Sequence, residues 1–218
     1  MFSSLIRFRI WSVIFFSSFG IFLINHLPFP NSLLTVNLVE VNAIDFQAKN
    51  LIFSPEEGQV IDMFKGVEVY YNGDINNTFG ISESSDGYYY GKKYLCEEFV
   101  NRFYFETHRH RMPDCHGEAK DYFDVALEDN VLNPARNMHQ FYDDSTVKPR
   151  ANDLVVLGKS KQYPRGHLFI ITEVGKDYIR YIHQNPGIGE ESRGVYELTN
   201  TDGNWKINVP HILGWLRV

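Results

Sequence analysis

The chain has 218 residues, enough for one ordinary domain with a core and a short appendage. Its 44% hydrophobic and 22% charged content is globular and excludes a disordered chain. The formal net charge of -6 excludes the basic surface that a nucleic-acid binder needs, and no fixed-period repeat is visible.

The first thirty residues stand apart. Arg7 and Arg9 precede an uncharged run from Ile10 to Ile24, the layout of a secretory signal or signal anchor. The run is short for a spanning helix of about 20 residues. A small-x-small site is absent just behind it; Val41-Asn42-Ala43 has that shape far downstream. The expectation is an exported chain (periplasmic, secreted or membrane-anchored), with a buried N-terminal helix as the bland alternative. Export would permit a disulfide between Cys96 and Cys115.

Residues 31–60 are weakly patterned and read as a linker or packing arm, with the domain running over 61–218. "GVEVYYNG" (66–73) reads as a strand closed by an Asn-Gly turn, and 74–93 as a loop. From Leu95 the apolar residues Leu95, Phe99 and Phe103 recur at helical spacing. Cys96, Glu97 and Glu98 fall in the first turn, where the helix dipole favours negative charge. A second helix is predicted over 119–128. Residues 153–158, 167–174 and 178–185 read as strands, the last two pairing about Lys176, with "ILGWLRV" as a closing strand. Helices followed by antiparallel strands predict an α+β domain.

A cysteine at a helix start has N–H groups and a dipole that favour its thiolate and can hold an oxyanion. A nucleophile also needs a base and a group to orient it. Hairpin pairing brings His167 opposite the region of His183 to Asn185, so a Cys/His/polar triad is available from one helix and one hairpin. The bland readings are a packed thiol or disulfide for Cys96, and structural strand histidines for His167 and His183. In "HRHRMPDCH" (108–116) the ligand types fit no standard zinc spacing, and a solvated loop is the simpler reading. Tyr88, Tyr89, Tyr90 and Tyr94 form either a substrate platform or a cover for the core.

The order of these motifs resembles a CHAP domain, the cysteine/histidine-dependent amidohydrolase/peptidase family. "GYYYGKKYLCEEFVNRF" resembles its nucleophile segment and "RGHLFIITEV" its Gly-His strand. "YIRYIHQNPG" and "HILGWLRV" resemble its last two strands. "FKGVEVYYNGD" resembles the entry segment of the glutathionylspermidine amidase branch. The resemblance implies a papain-like fold, with N-terminal helices packed on an antiparallel β-sheet. It implies Cys96 as nucleophile, His167 as general base and Asn185 as the residue orienting the base. His183 stands where many members have a glutamate, so the third role lies between Asn185 and His183, with Asn185 favoured. Leu95 replaces a glutamine of some members, leaving the oxyanion to backbone N–H groups.

No metal or organic cofactor is implied. With export, the expected substrate is peptidoglycan, at the N-acetylmuramoyl-L-alanine bond or a cross-bridge peptide. A small amide of the glutathionylspermidine type is the alternative, and membrane attachment would run through the N-terminal segment. A reading of another class is a non-catalytic binding module with a Cys96–Cys115 disulfide.

Overall fold

The computed structural model describes residues 55–218, so the apolar N-terminal segment and most of the expected arm lie outside the described residues. Among the described residues no helix is long and apolar enough to cross a membrane.

The dominant element is an eight-stranded, wholly antiparallel sheet. In chain order its strands are β5 (Val131–Asn133), β6 (Met138–Tyr142), β7 (Leu154–Leu157), β8 (His167–Val174), β9 (Tyr178–Ile182), β10 (Arg193–Thr201), β11 (Asn204–Ile207) and β12 (Ile212–Arg217). In space the order is β11-β10-β9-β8-β7-β12-β6-β5. Two small hairpins precede it: β1 (Val60–Phe64) with β2 (Val67–Tyr70), and β3 (Ile81–Glu83) with β4 (Tyr89–Lys92). Edge strand β11 reaches back to the chain beyond β6 through a bridge between Ser145 and Trp205, so the sheet curls.

This architecture corrects the predicted α+β, papain-like arrangement with N-terminal helices. Among the described residues there is a single α-helix, α1 (Cys96–His108), and apart from one 3-10 turn the remaining regular structure is strand. The helix predicted over 119–128 closes after one 3-10 turn, Ala119–Tyr122. Its end has a physical cause. Phe123 turns extended and sets its ring edge-on against Tyr142 at 4.9 Å, and the Asp124 carboxylate accepts the Ala126 N–H instead of leaving it to a helix. Strands β1, β3, β4, β5, β6, β10 and β11 escaped the sequence reading. They are short or carry few apolar residues; β10, for example, is mostly exposed or half-buried.

The central strands bury both faces. Leu154, Val156, Leu168 and Ile170 meet α1 through Phe99, Val100 and Phe103. Val155, Leu157, Phe169 and Ile171 pack on the opposite side with Ile179 and Trp215. This period-2 split explains why "DLVVLG" and "HLFII" read as continuous apolar runs. Each fully buried phenylalanine of α1 contributes about 1.5–3 kcal/mol, which anchors the helix bearing Cys96.

Candidate active site

Cys96 opens α1 from an extended Leu95, and no side chain caps the helix start. The first-turn N–H groups are therefore left to backbone and ligand. Two glycines allow the chain around it to close. Gly91 lies so near the helix that a Cβ would come within 2.9 Å of the Glu98 Cα, and its φ of 147° favours glycine. Gly166, at φ 81°, would place a Cβ 2.5 Å from the Leu157 carbonyl oxygen. Only glycine lets the chain turn there into β8 at His167.

Cys96 and His167 are both buried, 5% and 3% exposed, and both line one open cleft of about 430 Å³. Leu95, Glu97, Tyr163, Arg165, Ile75 and Asn185 are among the other residues that line it. The Leu168 backbone N–H, at the start of β8, favours the ionised sulfur.

The histidine pair fixes its own tautomers. His183 Nε2 is 2.9 Å from the Glu191 carbonyl oxygen, which only accepts, so this nitrogen carries the proton. His183 Nδ1 is then an acceptor, and it lies 2.8 Å from His167 Nε2, which must donate. His167 Nδ1 is left unprotonated, the state a base requires. Tyr163 stacks flat on His167, with ring centroids 4.1 Å apart and planes 13° apart, and holds the imidazole orientation.

Asn185, favoured from the sequence as the orienting residue, is engaged elsewhere. Its Oδ1 accepts from Asn72 at 2.9 Å and its Nδ2 donates to the Ile75 carbonyl at 3.0 Å. The reason is local: β9 ends at Ile182, and Asn185 at φ 61° turns the chain toward the 72–77 loop. The residue that meets His167 is His183.

The electrostatics also differ from the expectation of a helix-start thiolate. Burial pushes the Cys96 thiol well above its ordinary value, and the Glu97 carboxyl beside it adds to the rise. Burial holds His167 well below 6.5 and His183 at about 4. The resting pair is a neutral thiol and a neutral imidazole.

Beneath the site lies a network that the sequence did not announce. Glu98, 1% exposed, accepts from Arg102 at 2.6 Å, Ser82 at 3.0 Å and Gln184 at 2.7 Å. Gln184 also donates to the Leu95 carbonyl at 3.0 Å and accepts from the Tyr70 N–H at 2.8 Å. It thus ties β2 and the segment after β9 to the turn that presents Cys96. The Glu98/Arg102 spacing of i, i+4 was a visible signal. The roles of Gln184 and Tyr163 had none.

The other predicted clusters separate. Both cysteines are free; Cys115 Sγ lies 3.0 Å from the Tyr88 hydroxyl, so the Cys96–Cys115 disulfide is absent. Tyr88 and Tyr90 pack on Phe105, Tyr94 on Tyr70 and Phe79. Tyr89 borders a cleft, stacked on His116 at 5.1 Å. His110 is buried against the Arg136 carbonyl. Among the described residues no group of three or more His, Cys, Asp or Glu could hold a metal ion.

No family model matches the chain. The chain is similar to the trypanothione synthetase of Crithidia fasciculata, 29% identical over 166 residues, an alignment covering 69% of this chain. It spans about a quarter (24%) of the length of that relative. The similarity is consistent with the resemblance to the glutathionylspermidine amidase branch, whereas the broader CHAP resemblance has no matching family model behind it.

Proposed function

We infer that the chain acts on carbon–nitrogen bonds as a thiol amidase, and that its substrate is a small amide of the glutathionylspermidine type. The observation that carries this reading is the shared cleft of Cys96 and His167, with His183 fixing His167 in the tautomer whose Nδ1 is free. The similarity to a trypanothione synthetase supports the substrate class, because trypanothione is itself an amide of glutathione with a polyamine. Peptidoglycan, expected from the N-terminal segment, draws no support from the comparisons.

In this reading the Cys96 proton passes to His167 Nδ1 as the sulfur attacks the amide carbonyl. First-turn N–H groups of α1 stabilise the oxyanion. His167 gives the proton to the leaving nitrogen, the C–N bond breaks, and a thioester remains. Water then attacks the thioester, with His167 taking its proton and returning it to the sulfur. The net reaction is amide plus water to carboxylic acid plus amine. The neutral resting pair means that the thiol ionises only as it reacts. Burial opposes the separated charges, and His183 accepts the hydrogen bond of the imidazolium.

The test is release of spermidine from glutathionylspermidine, followed by mass spectrometry, with purified peptidoglycan assayed in parallel. The wild type releases the amine, and Cys96→Ala and His167→Ala lose at least 10³-fold in kcat. Undiminished release by Cys96→Ala sinks the mechanism. Cleavage of peptidoglycan alone sinks the substrate class.

A further inference from the structure

Of the carboxyls of Glu97, Glu98 and Glu118, only that of Glu97 lacks a cation among the described residues. Glu98 is closed by Arg102 at 2.6 Å. Glu118, at the far rim, is met by Lys120 at 3.3 Å and Lys159 at 3.9 Å. Glu97 has no lysine, arginine or histidine nitrogen within 4.0 Å among the described residues. It is half-buried, and the backbone N–H groups of its own residue and of Ala119 favour its ionised form without supplying a counter-charge. The exposed Arg165 acts on it only through space.

The placement is specific. Glu97 lines the cleft over Cys96 and also the adjoining one, of about 630 Å³, bordered by Tyr89, His116, Glu118 and Arg165. Its Oε2 is 3.3 Å from Cys96 Sγ. A carboxylate that has lost part of its hydration without gaining a counter-ion favours a cationic ligand. An ammonium bonded to it at about 2.8 Å would stand roughly 5 Å from the carbon that the sulfur attacks.

We propose that Glu97 is a cation subsite that selects amides carrying an ammonium group a few bonds from the scissile carbonyl. This rests on the amidase reading and deepens it. A leaving amine whose next amino group lies three or four methylenes away has the required reach. An anionic group at the same place would be repelled. Hydrolysis itself uses Cys96 and His167, so Glu97 determines which substrate is held.

The experiment labels Cys96 in the full chain with three methanethiosulfonates, bearing 2-aminoethyl, 2-sulfonatoethyl or methyl groups. Each forms a mixed disulfide with Cys96 and releases methanesulfinate, and peptide mass spectrometry separates Cys96 from Cys115. The cationic-to-anionic rate ratio, each rate first normalised to the neutral methyl reagent, falls about tenfold in Glu97→Gln and is kept in Glu97→Asp. A fall of less than fivefold in Glu97→Gln, or an equal fall in Glu97→Asp, overturns the proposal. The two readings fail separately. A chain that hydrolyses no amide loses the amidase reading while the ratio still tests Glu97. An amidase with an unchanged ratio loses only the subsite.

Discussion

His183 occupies the place where a carboxylate would give an imidazolium full electrostatic support. As a neutral acceptor it fixes the tautomer of His167 but adds no charge. His183→Leu removes the acceptor, frees His167 to carry its proton on Nδ1, and should lower kcat by roughly 10²-fold. His183→Glu keeps an acceptor for the His167 Nε2–H and adds the missing charge. It should raise the iodoacetamide labelling rate of Cys96 at pH 6 above that of the wild type. Equal labelling of these two variants would remove His183 from the proton arrangement. Cys96 shows the same competition of effects. A helix start favours a thiolate, but burial and the adjacent Glu97 carboxyl outweigh it and hold the thiol neutral.

The site is assembled from element ends: the start of α1, the start of β8 and the segment leaving β9. Each was legible from its own residues, because "YLCEEFVNRF" has helical spacing and "HLFIITEV" reads as strand. The segment leaving β9 is tied to the start of α1 by Gln184, which is fully buried and whose amide also meets β2. Gln184→Leu leaves the Tyr70 N–H, the Leu95 carbonyl and one Glu98 lone pair without this partner. It should cost about 2–4 kcal/mol of stability by urea denaturation. Activity should fall further than the folded fraction, because the turn presenting Cys96 loses its tether. An unchanged midpoint would show that water replaces the amide at no cost.

At the scale of the whole molecule, His167 and His183 are buried in neutral form, which links stability to pH. An unfolded histidine takes up its proton near pH 6.5, whereas folded His183 resists until about 4 and burial also holds His167 well below 6.5. The unfolded state therefore binds more protons between these limits, and stability falls as pH drops through that window. His183 alone accounts for a loss of order 3 kcal/mol between about pH 6.5 and 4. Glu97 and Asp153, raised by burial, act in the opposite direction. The deciding measurement is thus a difference: the slope of unfolding free energy against pH from 6.5 to 5 should be steeper in the wild type than in His183→Leu. Equal slopes would mean that His183 is protonated in the folded state.

The sequence by itself determined the helix at Cys96, the hairpin of β8 and β9, the closing strand β12 and the residue types of a thiol site. These are local properties, carried by period, propensity and turn chemistry. It did not determine the fold class, because 119–128 holds helix-compatible residues that a ring contact and an Asp-capped turn divert. Nor could it choose between Asn185 and His183, two residues apart beyond the end of one strand. That choice depends on where β9 ends and on a single left-handed residue, which sends Asn185 to the 72–77 loop and leaves His183 against His167. Only the tertiary structure decided the charge state of the pair as well. Desolvation depends on everything packed around a group, and no spacing along the chain encodes it.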